Sequence, residues 1–226
     1  MNQTAQTNPD RWKSLVLVLT LVNTVLIASI SALQVDANIR ANQANRDSQY
    51  YAVQVTGGLA YTGARGDFDT NTYAISVTNS MESLVAGYTA LLRQEVNDTQ
   101  GYDALKLQEQ IYQARADRAT SLSILQTNPA YGHGTTETAA DFTAYFDDLF
   151  GPTREILQKQ NEASDAYHQW NSKSDSYVAV LTVLAVAFFL LGVAQMTRPG
   201  LRLLFSIFAV VVLCIGSLWT LILLVF

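Results

Sequence analysis

The sequence predicts an all-α membrane protein: three transmembrane helices with an extracytoplasmic antiparallel helical bundle of about four helices plus one short helix. Three observations lead to this fold class. The 226-residue chain contains three long apolar runs without a charged residue. Basic residues occupy the short segments beside these runs, and the long segment between the first two runs has its apolar residues at helical spacing.

The apolar runs cover residues 14–33, 177–196 and 203–226. About 20 apolar residues at 1.5 Å each are enough to cross a hydrocarbon core about 30 Å thick. A buried helix of a soluble protein would explain one such run, whereas three favour a membrane protein. The first run exceeds the roughly 7–15 residues of a signal-peptide apolar region, so we expect an uncleaved anchor.

The short flanking segments predict the orientation. Residues 1–13 contain Arg11 and Lys13 beside one acid, and the 197–202 turn contains Arg198 and Arg202 and no acid. Because basic residues in short loops stay in the cytoplasm, we expect both segments there. We then expect residues 34–176 and the C-terminus to be extracytoplasmic, and the membrane to be the plasma (inner) membrane. Residues 34–176 carry 18 acidic against 10 basic residues, a net charge of −8 that disfavours nucleic acid as a partner.

The first helix is expected to leave the membrane and run to about Thr62. Its small residues repeat at the 4-3 spacing of a coiled coil, with Ala163, Ala166 and Trp170 facing them from the last exterior helix. The predicted helix-packing seam comprises Ala37, Ala41, Ala44, Ser48, Tyr51, Val55, Ala163, Ala166 and Trp170. The stretch TGARGDFDTNT (62–72) is rich in turn residues and predicts a break.

Three further helices are predicted before the last one. The second, 72–95, is marked by an apolar stripe, and the third, 102–126, by another. A short helix then ends at Gly151, and Pro152 opens the last helix. The two stripes are Val77, Met81, Leu84, Tyr88 and Leu91, and Ala104, Leu107, Ile111, Ala114, Leu122 and Leu125. Whether the bundle closes within one chain or between chains stays open.

The chain offers little that predicts chemistry. DFDTN (67–71) spaces its oxygens like the start of a calcium loop but lacks the later glycine and glutamate, which favours a capping turn. His133 and His168 are far apart in sequence, and the single cysteine, Cys214, lies in an apolar run. No nucleotide-binding or hydrolase motif occurs. We therefore expect no catalytic site, no metal and no cofactor. Asn23, inside the first run, is expected to make an intramembrane polar contact.

Two stretches resemble a known group of proteins. NEASDAYHQWNSKSDSYVAVLTVLAVAFFLLGVAQM (161–196) and ANQANRDSQYYAVQV (41–55) are similar to a loose group of uncharacterised bacterial integral membrane proteins. These have an N-terminal crossing, a helical exterior loop and a C-terminal transmembrane hairpin. The resemblance implies this topology and no residue roles.

The sequence predicts a non-enzymatic membrane-anchored scaffold or accessory subunit. Its exterior bundle would mediate self-assembly or bind a larger membrane complex, so the expected partners are the lipid bilayer, further copies of the chain and other membrane-protein subunits. One alternative is an extracytoplasmic sensor-like ligand-binding module that signals through a partner. Another is a small oligomeric transport or channel component.

Overall fold

A computed structural model describes residues 11–132 and 140–225, and within them it contains five helices and no strand. They are α1 (Arg11–Glu95), α2 (Thr99–Leu122), α3 (Ile124–Thr127), α4 (Phe142–Met196) and α5 (Pro199–Val225). The helices α1, α4 and α5 each contain a segment long and apolar enough to span a membrane, with mean hydropathies of 2.3, 2.6 and 2.7. The chain divides into two compact units, residues 1–49 with 160–226, and residues 50–159.

In the first unit, the apolar parts of α1, α4 and α5 pack around one core. Val16 and Ile30 of α1, Leu184 and Leu191 of α4, and Ala209 of α5 are buried in it. The apolar parts of α1 and α4 are antiparallel: Gln34, directly after the first apolar run, donates a 3.3 Å hydrogen bond to the Oγ of Ser174, which comes just before the second run. These are the three apolar helices that the sequence predicts.

The turn between α4 and α5 is shorter than predicted. Met196 ends α4 and Pro199 begins α5, so Pro199 and Gly200 belong to the first turn of α5. Proline suits this position because its missing N–H would have no partner there. Arg202 Nε donates to Ala194 O at 3.2 Å and Arg202 Nη2 donates to Thr197 O at 3.1 Å. Arg202 therefore satisfies carbonyl groups at the end of α4 that the helix itself leaves unpaired.

In the second unit, α1 and α2 form an antiparallel hairpin with well-defined caps. Asn97 adopts a left-handed conformation (φ 57°). The N–H groups of Asn97 and Asp98 donate to Gln94 O and Arg93 O, which is a Schellman ending of α1. Asp98 Oδ1 then accepts from Gly101 N at 2.9 Å and caps α2. The turn that must join the predicted helices 72–95 and 102–126 thus lies at 96–98.

The predicted break at residues 62–72 is wrong, because α1 is helical throughout this stretch. The second of its two glycines serves close packing rather than a turn, since a Cβ at Gly66 would lie 3.1 Å from Phe146 Cε1. Asp69 lies one helical turn after Arg65 and forms an ion pair with it. Because 62–72 is not a loop, the calcium-loop and capping-turn interpretations of DFDTN are wrong too.

The predicted boundary at Gly151 and Pro152 is also wrong, because α4 runs through both residues. Proline removes one backbone hydrogen bond from a helix interior. The residues before it are nevertheless held in place, since Tyr145 and Phe146 pack in an aromatic cluster with Tyr131 and Phe142. The four long exterior helices of the prediction are therefore parts of α1, α2 and α4.

Candidate protein-interaction surface

The contact between α1 and α2 is built from small residues, which we call the inner seam. It comprises Thr72, Ser76, Ser83, Ala86 and Ala90 of α1, all at most 7% exposed, facing Ala116 and Ala119 of α2. Ser76 Oγ lies 2.7 Å from Thr120 Oγ1, and Ser83 Oγ donates to Glu109 O at 3.2 Å. Small side chains let the two backbones approach closely, and the hydroxyl groups find partners across the contact.

The large apolar residues of the same part of α1 lie on the opposite side. They form an outer stripe of Val77, Met81, Leu84, Val85, Tyr88, Leu91 and Leu92, of which all but Val77 are 49–70% exposed. At about 100° per residue, this stripe is centred opposite the inner seam. The residues that mark the second predicted helix, Val77, Met81, Leu84, Tyr88 and Leu91, therefore lie on the face of α1 that points away from α2.

The second helix of the hairpin has the same inverted pattern. Leu107, Ile111 and Leu122 are 44–59% exposed, and of the stripe predicted on this helix only Leu125, which belongs to α3, is buried. A groove between the two helices is lined by Met81 and Val85 of the outer stripe and by Leu105 and Tyr112 of α2. The hairpin thus presents apolar side chains where a lone soluble domain would present polar ones.

A buried polar cluster holds α3 and α4 against α1 in the second unit. The carboxylate of Asp69 is fully buried. Its Oδ2 lies 2.7 Å from Arg65 Nε, whose N–H is not aligned for a hydrogen bond, while Arg65 Nη2 donates to Oδ1 at 3.1 Å. Tyr145 OH donates to Oδ2 at 2.7 Å and Ile124 N donates to Oδ1 at 3.0 Å. Asp69 therefore joins three helices through one side chain.

Two tyrosines in and beside this cluster have raised pKa values. Burial raises the pKa of Tyr145, and its hydrogen bond to the Asp69 carboxylate raises it further. The hydrogen bond from Tyr131 OH to Asp148 Oδ2, 3.0 Å long, is the main cause of the raised pKa of Tyr131. Both hydroxyl groups stay protonated and act as donors.

The predicted seam residues lie on inward faces of α1 and α4. Ala37 and Ala41 are each 1% exposed, and the others in the seam are half-buried. In the first unit, Trp170 packs against the core that contains Ala37. The Arg40 guanidinium lies 4.7 Å from the centre of the Trp170 ring. In the second unit, Tyr51 and Val55 are half-buried on α1.

Asn23 makes a polar contact within the first unit. It is fully buried, and its Nδ2 donates a 3.2 Å hydrogen bond to Leu184 O of α4. Of the residues expected to set the orientation, Lys13 and Arg198 are exposed and Arg202 caps α4. The Arg11 side chain and residues 1–10 are outside what the structure describes.

The chain has two histidines, which are possible metal ligands by residue type. His133 lies outside the described residues, and His168 is exposed on α4. In the described ranges, no three His, Cys, Asp or Glu residues are grouped so that they could hold a metal ion. No protein-family model matches the chain, and no curated protein or solved structure is similar to it.

Sequence reasoning did not identify the inner seam. A signal was present: the 4-3 spacing of Ala37 to Gly58 continues without a phase shift through Thr62, Asp69 and Ser76 to Ala90. Because these residues are mostly small or polar, a search for apolar periodicity does not detect them. The outer stripe has the stronger apolar signal, so it is the pattern that marks this helix in the sequence.

Proposed function

We propose that the chain is a non-enzymatic, membrane-anchored scaffold or accessory subunit whose helical hairpin binds protein. The observation that carries this proposal is the inverted pattern of the hairpin. Its small residues fill the contact between α1 and α2, and its large apolar residues face outward on both helices. Large exposed apolar patches mark binding surfaces, because leaving them in water is unfavourable.

The three apolar helices supply the anchor. We propose that residues 1–13 and the 197–202 turn lie in the cytoplasm, and that residues 34–176 and the C-terminus lie outside the plasma (inner) membrane of a bacterium. The exposed side chains of Lys13 and Arg198 support this orientation, since exposed basic residues beside a membrane span are retained on the cytoplasmic side. In this orientation the hairpin faces the exterior.

The test is the mass of the particle that the full chain forms after extraction in a mild detergent. We expect the wild-type protein to be part of an assembly larger than one chain. Val85→Glu should reduce that assembly, because a charge placed in an apolar contact is costly to bury. Val53→Glu is the matched control, since Val53 is 73% and Val85 65% exposed on the same helix and Val53 is outside the outer stripe.

A clean monomer for the wild-type chain would overturn the proposal, as would equal effects of the two substitutions. Circular dichroism on each variant establishes that the helices remain folded. The composition of the assembly is then read by mass spectrometry, which separates copies of this chain from other subunits.

A further inference from the structure

The outer stripe has the spacing of a coiled-coil contact. Val77, Met81, Leu84, Tyr88 and Leu91 follow one another at 4-3-4-3, and Val85 and Leu92 widen the face on one side. Such a face fits a helix with the same repeat, because each side chain enters a gap between four residues of the partner. A second copy of the same helix has the same repeat and therefore fits this face.

The size of the stripe matches one side of a stable interface. Six of its side chains are 49–70% exposed. Together they present on the order of 700 Å² of accessible surface, close to the roughly 800 Å² that each partner contributes to a standard interface. A typical monomer has a largest apolar patch of about 300–600 Å². The stripe is therefore large enough to hold a partner of similar shape.

The charges favour another copy over a lipid surface. Between residues 74 and 92 the only charged residue is Glu82, which lies about 120° from the midline of the stripe. Two copies of the stripe can therefore meet without placing like charges opposite each other. Helices that lie on a membrane surface carry Lys and Arg on their polar face, and residues 74–92 contain neither.

Membrane anchorage favours a parallel pair. Identical chains inserted in one membrane have the same orientation, and a twofold axis along the membrane normal places the same residue of each copy at the same height. Confinement to the membrane also raises the effective concentration of one copy around another. Both effects help identical stripes to meet in register.

We propose that a second copy of this chain binds the outer stripe, so that the two α1 helices pair parallel and in register over residues 77–92. This inference rests on the proposed function and names its partner. The groove beside Met81 and Val85 receives side chains at the edge of the same contact.

Disulfide cross-linking in native membranes tests the pairing. The chain has a single cysteine, so Cys214→Ser gives a background without thiols. In an in-register pair, residue 84 of one copy lies opposite residue 84 of the other, and the same holds for residue 91. The cysteines introduced by Leu84→Cys or Leu91→Cys then lie within the 4.4–6.8 Å between Cα atoms that a disulfide needs. We expect both variants to yield a covalent dimer on mild oxidation. Val53→Cys, at a more exposed position outside the stripe, should yield about tenfold less or none.

The outcomes separate this inference from the proposed function. Absence of dimer from both stripe cysteines overturns the pairing. If the detergent assembly nevertheless contains another protein and is lost in Val85→Glu, the proposed function stands and only the second copy is wrong. If the wild-type chain is monomeric and no dimer forms, both are wrong. Dimers from Val53→Cys at the level of Leu84→Cys would show unspecific collision and also overturn the pairing.

Discussion

Asp69 shows how one side chain can organise a unit of this protein. Its buried carboxylate meets the Arg65 guanidinium, the Tyr145 hydroxyl and the N–H of Ile124. Each of these partners would lose a hydrogen bond or a counter-charge in a low-dielectric setting if the carboxylate were removed. Arg65 is 27% exposed, so water offsets part of the loss on that side.

Replacing this carboxylate should destabilise the second unit. We expect Asp69→Ala to lower the free energy of unfolding by about 3 kcal/mol, since it leaves buried groups unpaired. Asp67→Ala, at an exposed position two residues earlier, should change it by less than about 0.5 kcal/mol. Near-ultraviolet circular dichroism of tyrosine suits the measurement, because nine of the eleven tyrosines and none of the tryptophans lie in residues 50–159. Similar losses in the two variants would contradict the role assigned to Asp69.

At the scale of the element, α1 shows what the sequence can and cannot predict. The helical class and the three apolar spans follow from hydropathy and spacing, because about 20 uncharged residues have few alternatives to a membrane helix. The continuity of α1 through residues 62–72 does not follow, since Gly, Asp, Thr and Asn favour turns by local propensity. In this stretch Gly66 accommodates Phe146 and Asp69 pairs with Arg65, so tertiary contacts override that propensity.

Two adjacent glycines of α1 provide a test of close packing. A Cβ at Gly58 would lie 2.7 Å from Thr153 Oγ1, whereas a Cβ at Gly57 would meet no heavy atom within 4 Å. Gly57→Ala should stabilise the second unit by about 0.5–1 kcal/mol through lower backbone entropy of the unfolded chain. Gly58→Ala should destabilise it by about 1–3 kcal/mol, because the buried Thr153 has little room to move.

The tyrosine signal during thermal unfolding distinguishes these two variants. A rise in the unfolding temperature for Gly57→Ala with a fall for Gly58→Ala supports the packing described for α1 and α4. Equal shifts in the same direction would mean that Gly58 is not at a close contact.

At the scale of the whole molecule, the three apolar helices limit where each segment can lie. Two spans separate residues 1–13 from the 197–202 turn, so these two segments share one side of the membrane if every apolar helix crosses it. Residues 34–176 then lie on the other side. The hydropathy of α1, α4 and α5 supports the crossings, and the basic residues support the choice of side.

Thiol labelling tests that orientation. In the Cys214→Ser background, Val53→Cys should react with a membrane-impermeant maleimide in sealed right-side-out vesicles. Gly200→Cys should react only after permeabilisation. This substitution keeps Arg198 and Arg202, and the added Cβ has no atom within 4 Å. Labelling in the reverse pattern would invert the topology.

The 4-3 spacing on α1 also restricts how the length of this helix can change. Each residue turns the helix by about 100°, so deleting one residue between Thr72 and Ser83 would rotate Ser83, Ala86 and Ala90 away from α2. Large side chains of the outer stripe would then be pressed against a helix that has room only for small ones. An insertion of seven residues keeps the phase. Insertions and deletions in this part of α1 must therefore keep the helical phase, whereas a substitution of one apolar residue by another in the outer stripe leaves that phase unchanged.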